Sequence, residues 1–246
     1  MFNLLSIRKK LKTKNMNAKS EDHWFSLEYS IDSSLEAIEN KRYCQKIKSC
    51  LYFRDESGDN IKHLIGKLTG KKILLDEAQV DGWNAYSIFD VSSDTFEIGK
   101  IIYDLENPHN PDPEHNESLN LKFDGILVER NLLILSKIEI LPEYRGMGLG
   151  KKWIKDFYNN FNSGCSLFVL SVMPKQFYLF DISEKGNLWR TKMKYSEMDQ
   201  DEEKSTYKLL SYFLDIGFEH FPEISQDLVF LSPLLKNDKF QKIKIE

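Results

Sequence analysis

The chain is short of the features that mark exported, membrane-spanning or nucleic-acid-coating proteins. Its 246 residues include three cysteines, Cys44, Cys50 and Cys165. They form no even framework and no Cys-x-x-Cys pair, which points to a reduced, cytoplasmic protein. No apolar run approaches the roughly eighteen residues of a membrane span. The first fifteen residues, MFNLLSIRKKLKTKN, lack an apolar core followed by a small-residue cleavage site, so no secretory signal is expected. They read as a frayed basic tail, with a short membrane-touching amphipathic turn as the alternative. Charge of one sign is also missing: 34 basic residues face 38 acidic ones, a net charge of −4. Without a global positive field the chain is not expected to bind nucleic acid, although a local basic patch stays open.

Apolar residues make up 41% and aromatics 13% of the chain, ample for a packed core. At about 150 residues per domain, the length allows one large domain or one plus an appendage. The reading adopted is a flexible tail over 1–20 and a single enlarged domain over 21–246.

Along the chain, 24–31 alternates as a strand. Residues 33–48 read as a helix with a Ser cap and Leu35, Ile38 and Tyr43 on one face. A short strand covers 49–54. Residues 61–78 read as an extended segment or a hairpin about Thr69-Gly70, and 83–89 and 94–105 as helices. Asp94 and Glu97 stand at capping-box spacing for the second. Residues 107–118 hold all the proline of the first half and form a surface loop. His109, Asp112, Glu114 and His115 lie there, without the rigid scaffold and supporting shell a metal site needs, so no metal is expected. Residues 119–128 and 132–141 read as two apolar strands paired in a hairpin about Glu129-Arg130-Asn131. A helix over 149–161 carries Trp153, Phe157 and Phe161 four residues apart. A continuous apolar strand at 166–172 suits the middle of a sheet. Then come an irregular polar insertion over 174–204, a helix over 205–216 stopped by Gly217, and strands at 218–221 and 227–231.

The most specific feature is Arg145-Gly146-Met147-Gly148-Leu149-Gly150-Lys151, between a strand and an amphipathic helix. Such a turn presents backbone N–H groups at the positive end of a helix dipole, a seat for phosphate oxygens. A Walker A loop would need glycine at Arg145 and Ser or Thr at Lys152, and a dinucleotide GxGxxG would need glycine at Lys151. Both fail. The pattern Arg/Gln-x-x-Gly-x-Gly/Ala after Val/Ile-x-Pro-x-Tyr fits throughout: Ile140-Leu141-Pro142-Glu143-Tyr144, then Arg145, Gly148 and Gly150.

Here the chain resembles the GNAT superfamily of acyl-CoA-dependent N-acyltransferases, clearly over 132–161 and more loosely over 119–231. The resemblance implies an α/β fold of α+β type: a mixed, mostly antiparallel sheet flanked by helices, with two parallel strands splayed apart. It implies acetyl-CoA or another acyl-CoA as co-substrate, and an amine on a small molecule or protein as acceptor. In that setting the N–H groups from Gly146 through Met147, Gly148 and Leu149 to Gly150 would cradle the pyrophosphate. Arg145 and Lys151 would add positive charge, and the strand edge from Ile138 to Ile140 would pair with the pantetheine arm. Direct attack by the amine needs a proton acceptor, an oxyanion donor and an acid for the leaving thiolate. Glu139 is the candidate base, as the carboxylate inside the binding strand. Alternation places it opposite Ile138 and Ile140 unless a bulge intervenes, so a structural role is equally open. Ser136 is a weaker alternative for holding a water. The position where the family often has an acidic Tyr holds Phe213, leaving Tyr212, about 100° away around the helix, as the candidate acid and Tyr207 as a poorer one. The competing expectation is a module that binds acyl-CoA without turnover. Acylation of charged tRNA is disfavoured by the acidic balance. Both monomer and homodimer remain open.

Overall fold

A computed structural model describes residues 8–11, 23–32, 39–55, 62–103, 105, 114–178 and 184–245. Four strands come first: β1 (Arg8–Leu11), β2 (His23–Asp32), β3 (Cys44–Asp55) and β4 (Lys62–Ile73). Four helices follow: α1 (Leu75–Val80), α2 (Ala85–Phe89), α3 (Ser93–Ile102) and α4 (Glu117–Lys122). Next are β5 (Leu132–Ile140), α5 (Leu149–Phe161) and β6 (Leu167–Ser171). The chain continues with α6 (Glu184–Met193), α7 (Glu202–Asp215), β7 (Leu228–Leu231) and α8 (Asp238–Gln241). The seven strands form one sheet in sequence order. Every neighbouring pair is antiparallel except β5 and β6, which run parallel. This is the mixed, mostly antiparallel, helix-flanked architecture expected, with its one parallel pair in place.

Two cores cover the sheet, fed by alternate residues of the same strands. Leu133, Leu135, Phe168, Leu170, Val229 and Leu231 join one face, with Trp153, Ile154 and Phe157 of α5 and Phe213 of α7. Leu132, Ile134, Leu167, Val169, Leu228 and Phe230 join the other, with residues of α1 to α4. Strands buried on both faces read as unbroken apolar runs, which is why 166–172 was legible.

Several expectations are corrected. Residues 119–128 are not a strand, and β5 pairs with β4 instead. Leu119 and Phe123 are fully buried while Leu121 is 68% exposed, a four-residue period that belongs to a helix. Asn116 caps that helix by accepting from Leu119 N at 3.2 Å, and left-handed Asp124 and Gly125 end it. The helix expected over 33–48 is, within the described residues, a short 3-10 turn at Glu39–Tyr43 followed by β3. There Ile47, Ser49 and Leu51 face the core and the backbone pairs on both sides, so tertiary pairing overrides the local helical spacing. Residues 33–38 lie outside the described residues, as do His109 and Asp112.

Thr69-Gly70 makes no hairpin; opposite it the ladder shifts register at a bulge on β5. A Cβ on Gly70 would sit 2.5 Å from Phe157 Cζ, so the glycine allows α5 to approach rather than the chain to turn. The Asp94–Glu97 capping box is replaced by Ser92 as the N-cap residue, with Lys71 Nζ held by Asp94 at 2.8 Å. The insertion 174–204 is partly helical, in α6. Of the strand expected over 218–221, a single bridge between Glu219 and Phe230 forms. Arg8–Leu11, within the segment expected as a tail, pairs with β2.

Candidate functional site

The site begins where the parallel pair stops. Leu132 to Leu135 of β5 pair with Leu167 to Leu170 of β6, and no pairing follows. β4 loses register between Thr69 and Gly70, placing Ser136 as the extra residue on β5. β5 then runs on to Ile140 beside β4, while β6 keeps to β7 and Val172 N donates to Asp227 O at 2.8 Å. The strands part, and a cleft of about 930 Å³ opens between them, lined by β5 from Leu135 to Ile140 and by Met173, Pro174 and Lys175 beyond β6. Gly146 and Gly150 at the start of α5 and Tyr212 and Phe213 of α7 also line it.

The glycine turn sits at the end of this cleft. Gly146 and Gly148 have φ of 75° and 76°, the left-handed region where a side chain is strained. Gly148 is the N-cap of α5, with no side-chain cap on the first turn. Its amides are therefore left for a ligand or solvent. A Cβ at Gly150 would lie 2.9 Å from Tyr212 Oη, so this glycine lets α7 close on α5. Arg145 is partly committed: Nε donates to Ile140 O at 2.8 Å and Nη2 to Met193 O at 3.1 Å. It ties β5 to α6 besides adding positive charge. Lys151 is exposed beside the turn. Leu149 is buried in the core, Met147 is half-buried against it, and Ile138 and Ile140 face the same core.

Glu139 lies on the opposite face of β5 from Ile138 and Ile140, as alternation requires past the bulge. It is 4% exposed. Tyr195 Oη donates to Oε1, Trp189 Nε1 to Oε2 at 3.1 Å, and Lys137 Nζ stands 2.9 Å from Oε2. A carboxylate has about four acceptor positions, so three of them are taken. The Tyr195 hydroxyl is pushed up by burial and by the Glu139 charge, and so stays a donor. Ser136 Oγ is buried and finds no hydrogen-bond partner among the described residues.

Phe213 is buried in the core and has no proton to give. Tyr212 lines the cleft, and burial pushes its hydroxyl up to about 12. Tyr207, 70% exposed, is not among the lining residues. Tyr212, singled out by spacing, thus borders the cleft, whereas the group around Glu139 was not expected. Trp189, Met193 and Tyr195 form a small cluster against Leu64 and Leu141. The four-residue step from Trp189 to Met193 inside a polar stretch was the signal that could have revealed it.

Elsewhere, Cys165 is core, its thiol pushed up to about 12 by burial. His115 Nε2 meets Ser166 Oγ at 3.2 Å, but Ser166 is fully buried. Among the described residues no cluster of His, Cys, Asp or Glu could hold a metal ion, and no helix is long and apolar enough to cross a membrane. Asp199, in the acidic run 197–203, is engaged by Lys204 and Lys208 at 3.0 and 2.8 Å.

The fold and cleft define a class: a mixed α/β sheet, consistent with a GNAT-like fold, opened at its parallel pair beside a glycine turn. No family model matches the chain, and no curated protein matches it. A chain of the solved KacTA–DNA complex is similar over 84% of this chain and 92% of its own, at 11% identity and a TM-score of 0.34. Similarity that low carries no argument.

Proposed function

We propose that the chain is an acyl-CoA-dependent N-acyltransferase, with acetyl as the first donor to test, that passes the acyl group to a primary amine by direct attack in a ternary complex. The observation that carries this reading is the cleft between the splayed ends of β5 and β6, closed at one end by two left-handed glycines at the start of α5. The residues fit the co-substrate. Among the described residues, no heavy atom beyond the glycine and its chain neighbours lies within 4 Å of a Cβ built on Gly146, and Lys151 Cε, at 3.4 Å, is the one such contact at Gly148. The turn is open where phosphate oxygens would meet its amides.

Acyl-CoA supplies the activated acyl group, and the chain supplies everything else. The amides from Gly146 to Gly150 hold the pyrophosphate, with Lys151 and Arg145 adding charge. The β5 edge from Ile138 to Ile140 offers backbone groups to the pantetheine amides. A β5 amide near Ile140 is aimed to stabilise developing negative charge on the carbonyl oxygen. Tyr212, still protonated at neutral pH, donates to the departing sulfur. Glu139 keeps one acceptor position for a water that relays the amine's proton.

A second reading, acyl-CoA binding without turnover, is favoured by one observation: the carboxylate of β5 is engaged by Tyr195, Trp189 and Lys137. Two measurements test the pair. CoA is expected to raise the melting temperature, and Gly148→Val, strained by about 1–2 kcal/mol at its positive φ, to abolish that rise. Stabilisation that survives in the variant would show the pyrophosphate assignment to be wrong. Thiol release from acetyl-CoA across an amine panel supports the acyltransferase. CoA stabilisation with no release on any amine supports the silent module.

A further inference from the structure

The cleft has two unlike walls. One is the face of β5 that carries Lys137 and Glu139, with Tyr195 against Glu139. The other is the face toward α5. There Leu135 and Leu170, the last paired residues of β5 and β6, line the cleft with Ile138 and Ile140 of β5 and Leu209 and Phe213 of α7. All of these belong to the core on the α5 side or pack against it. Leu209 and Phe213 stand four residues apart, so they share one face of α7. The serines that also line the cleft do not interrupt this wall. Ser136 Oγ is buried, Ser205 Oγ donates to Asp199 O at 3.2 Å, and alternation turns Ser171 to the other face of the sheet. The glycine turn lies at the Ile140 end of the wall, and Leu135 lies about 16 Å further back along β5. The seat for phosphate and the apolar end of the cleft are therefore on one face of the sheet, in line along one strand. At about 930 Å³ the cleft is near the top of the range for small-ligand sites, about 300–1,000 Å³. An acetyl group would bring a single methyl to this wall.

We propose that the donor is a fatty acyl-CoA of medium chain length, whose hydrocarbon tail lies along this wall toward Leu135 and Leu170. The inference rests on the acyl-CoA reading and deepens it by naming the class of acyl group. Transfer itself is the same as for acetyl, since only atoms beyond the carbonyl carbon differ. The amine approaches from the wall of Lys137 and Glu139, so tail and acceptor occupy opposite faces of the sheet. Burial selects the tail: each methylene moved from water to an apolar wall is worth about fourfold in affinity. The apolar stripe on α7 is thus part of the donor site as well as of the core.

The test measures binding of CoA and of acetyl-, butyryl-, hexanoyl- and octanoyl-CoA to the full-length chain by calorimetry. Affinity is expected to climb with chain length and then level off, with hexanoyl-CoA bound at least about tenfold tighter than acetyl-CoA. Leu209→Asn keeps the branching of a half-buried side chain but adds polar atoms to the wall. It should weaken hexanoyl-CoA at least about fivefold and leave CoA itself within about twofold. If CoA binds but affinity stays flat or falls along the series, the proposal is overturned while the acyl-CoA reading stands. A climb that Leu209→Asn leaves untouched overturns it too, because the tail then lies elsewhere. If no member of the series binds, the acyl-CoA reading falls and takes the proposal with it.

Discussion

Two halves of one strand behave as different materials. From Leu132 to Leu135, β5 is apolar on both sides, paired with β4 and β6, and sealed by a core on each face. From Ser136 to Ile140 it alternates polar and apolar, pairs with β4 alone, and borders the cleft. The change from LLIL to SKIEI marks the place. An unbroken apolar run can be satisfied only by burial on both faces, whereas an alternating one leaves a face for polar work. The bulge at Ser136 lies at the border. A sheet can thus be a sealed frame and the border of a cleft within nine residues.

This contrast can be broken at either half. The largest effect is expected in the paired half, where Phe168 is fully buried among Phe157, Tyr158 and Phe218. Phe168→Ala should cost about 3–5 kcal/mol in urea unfolding, and a loss below about 1 kcal/mol would show that the frame is not tightly packed. In the splayed half, Glu139→Gln keeps the shape but removes the charge facing Lys137 and turns an N–H toward the Trp189 or Tyr195 donors. It should cost about 1–3 kcal/mol and quicken hydrogen exchange in α6. Under the acyltransferase reading it also lowers turnover at neutral pH while CoA stabilisation is kept. Unchanged exchange in α6 would mean that Glu139 does not anchor the helix.

The third effect, confined to acid, is a matter of pH at the dry end. His115, beside Ser166 where the chain enters β6, has its imidazole pushed down from 6.5 to about 4 by burial. Above pH 6.5 it is neutral in folded and unfolded chains alike. Between about 6.5 and 4 the unfolded chain takes up a proton that the folded one refuses, so stability falls as pH falls. The urea midpoint of His115→Gln should decline less over this window than that of the wild type. Parallel declines would show that acid sensitivity lies elsewhere.

The legible parts of the molecule share a property: local pattern and tertiary demand agree. The α5 stripe of Trp153, Phe157 and Phe161, the β6 run and the Gly217 stop to α7 all read directly, because each residue's neighbours along the chain are also those that decide its environment. Residues 119–128 misled because six apolar residues suit either period, and the Asn116 cap and the Asp124-Gly125 terminus decide for helix. Residues 44–48 misled because strand pairing on both sides outweighs a preference that summed to little. At the site, the glycine turn was visible because its chemistry is backbone chemistry at consecutive positions. The Glu139 group was not, since Trp189 and Tyr195 lie some fifty residues away and reach it only through the fold.

Sheets usually carry their unpaired backbone at the outer strands, where another chain can add itself and begin aggregation. Here a further stretch of unpaired backbone lies in the interior of the sheet, on the β6 side of β5 beyond Leu135. It is walled by α7 and by the start of α5, and the Arg145 guanidinium occupies the Ile140 carbonyl. Under the acyl-CoA reading, that stretch is met by the amides of a bound molecule rather than by another strand. On that reading the sheet keeps an unpaired edge for a ligand inside itself rather than at its rim.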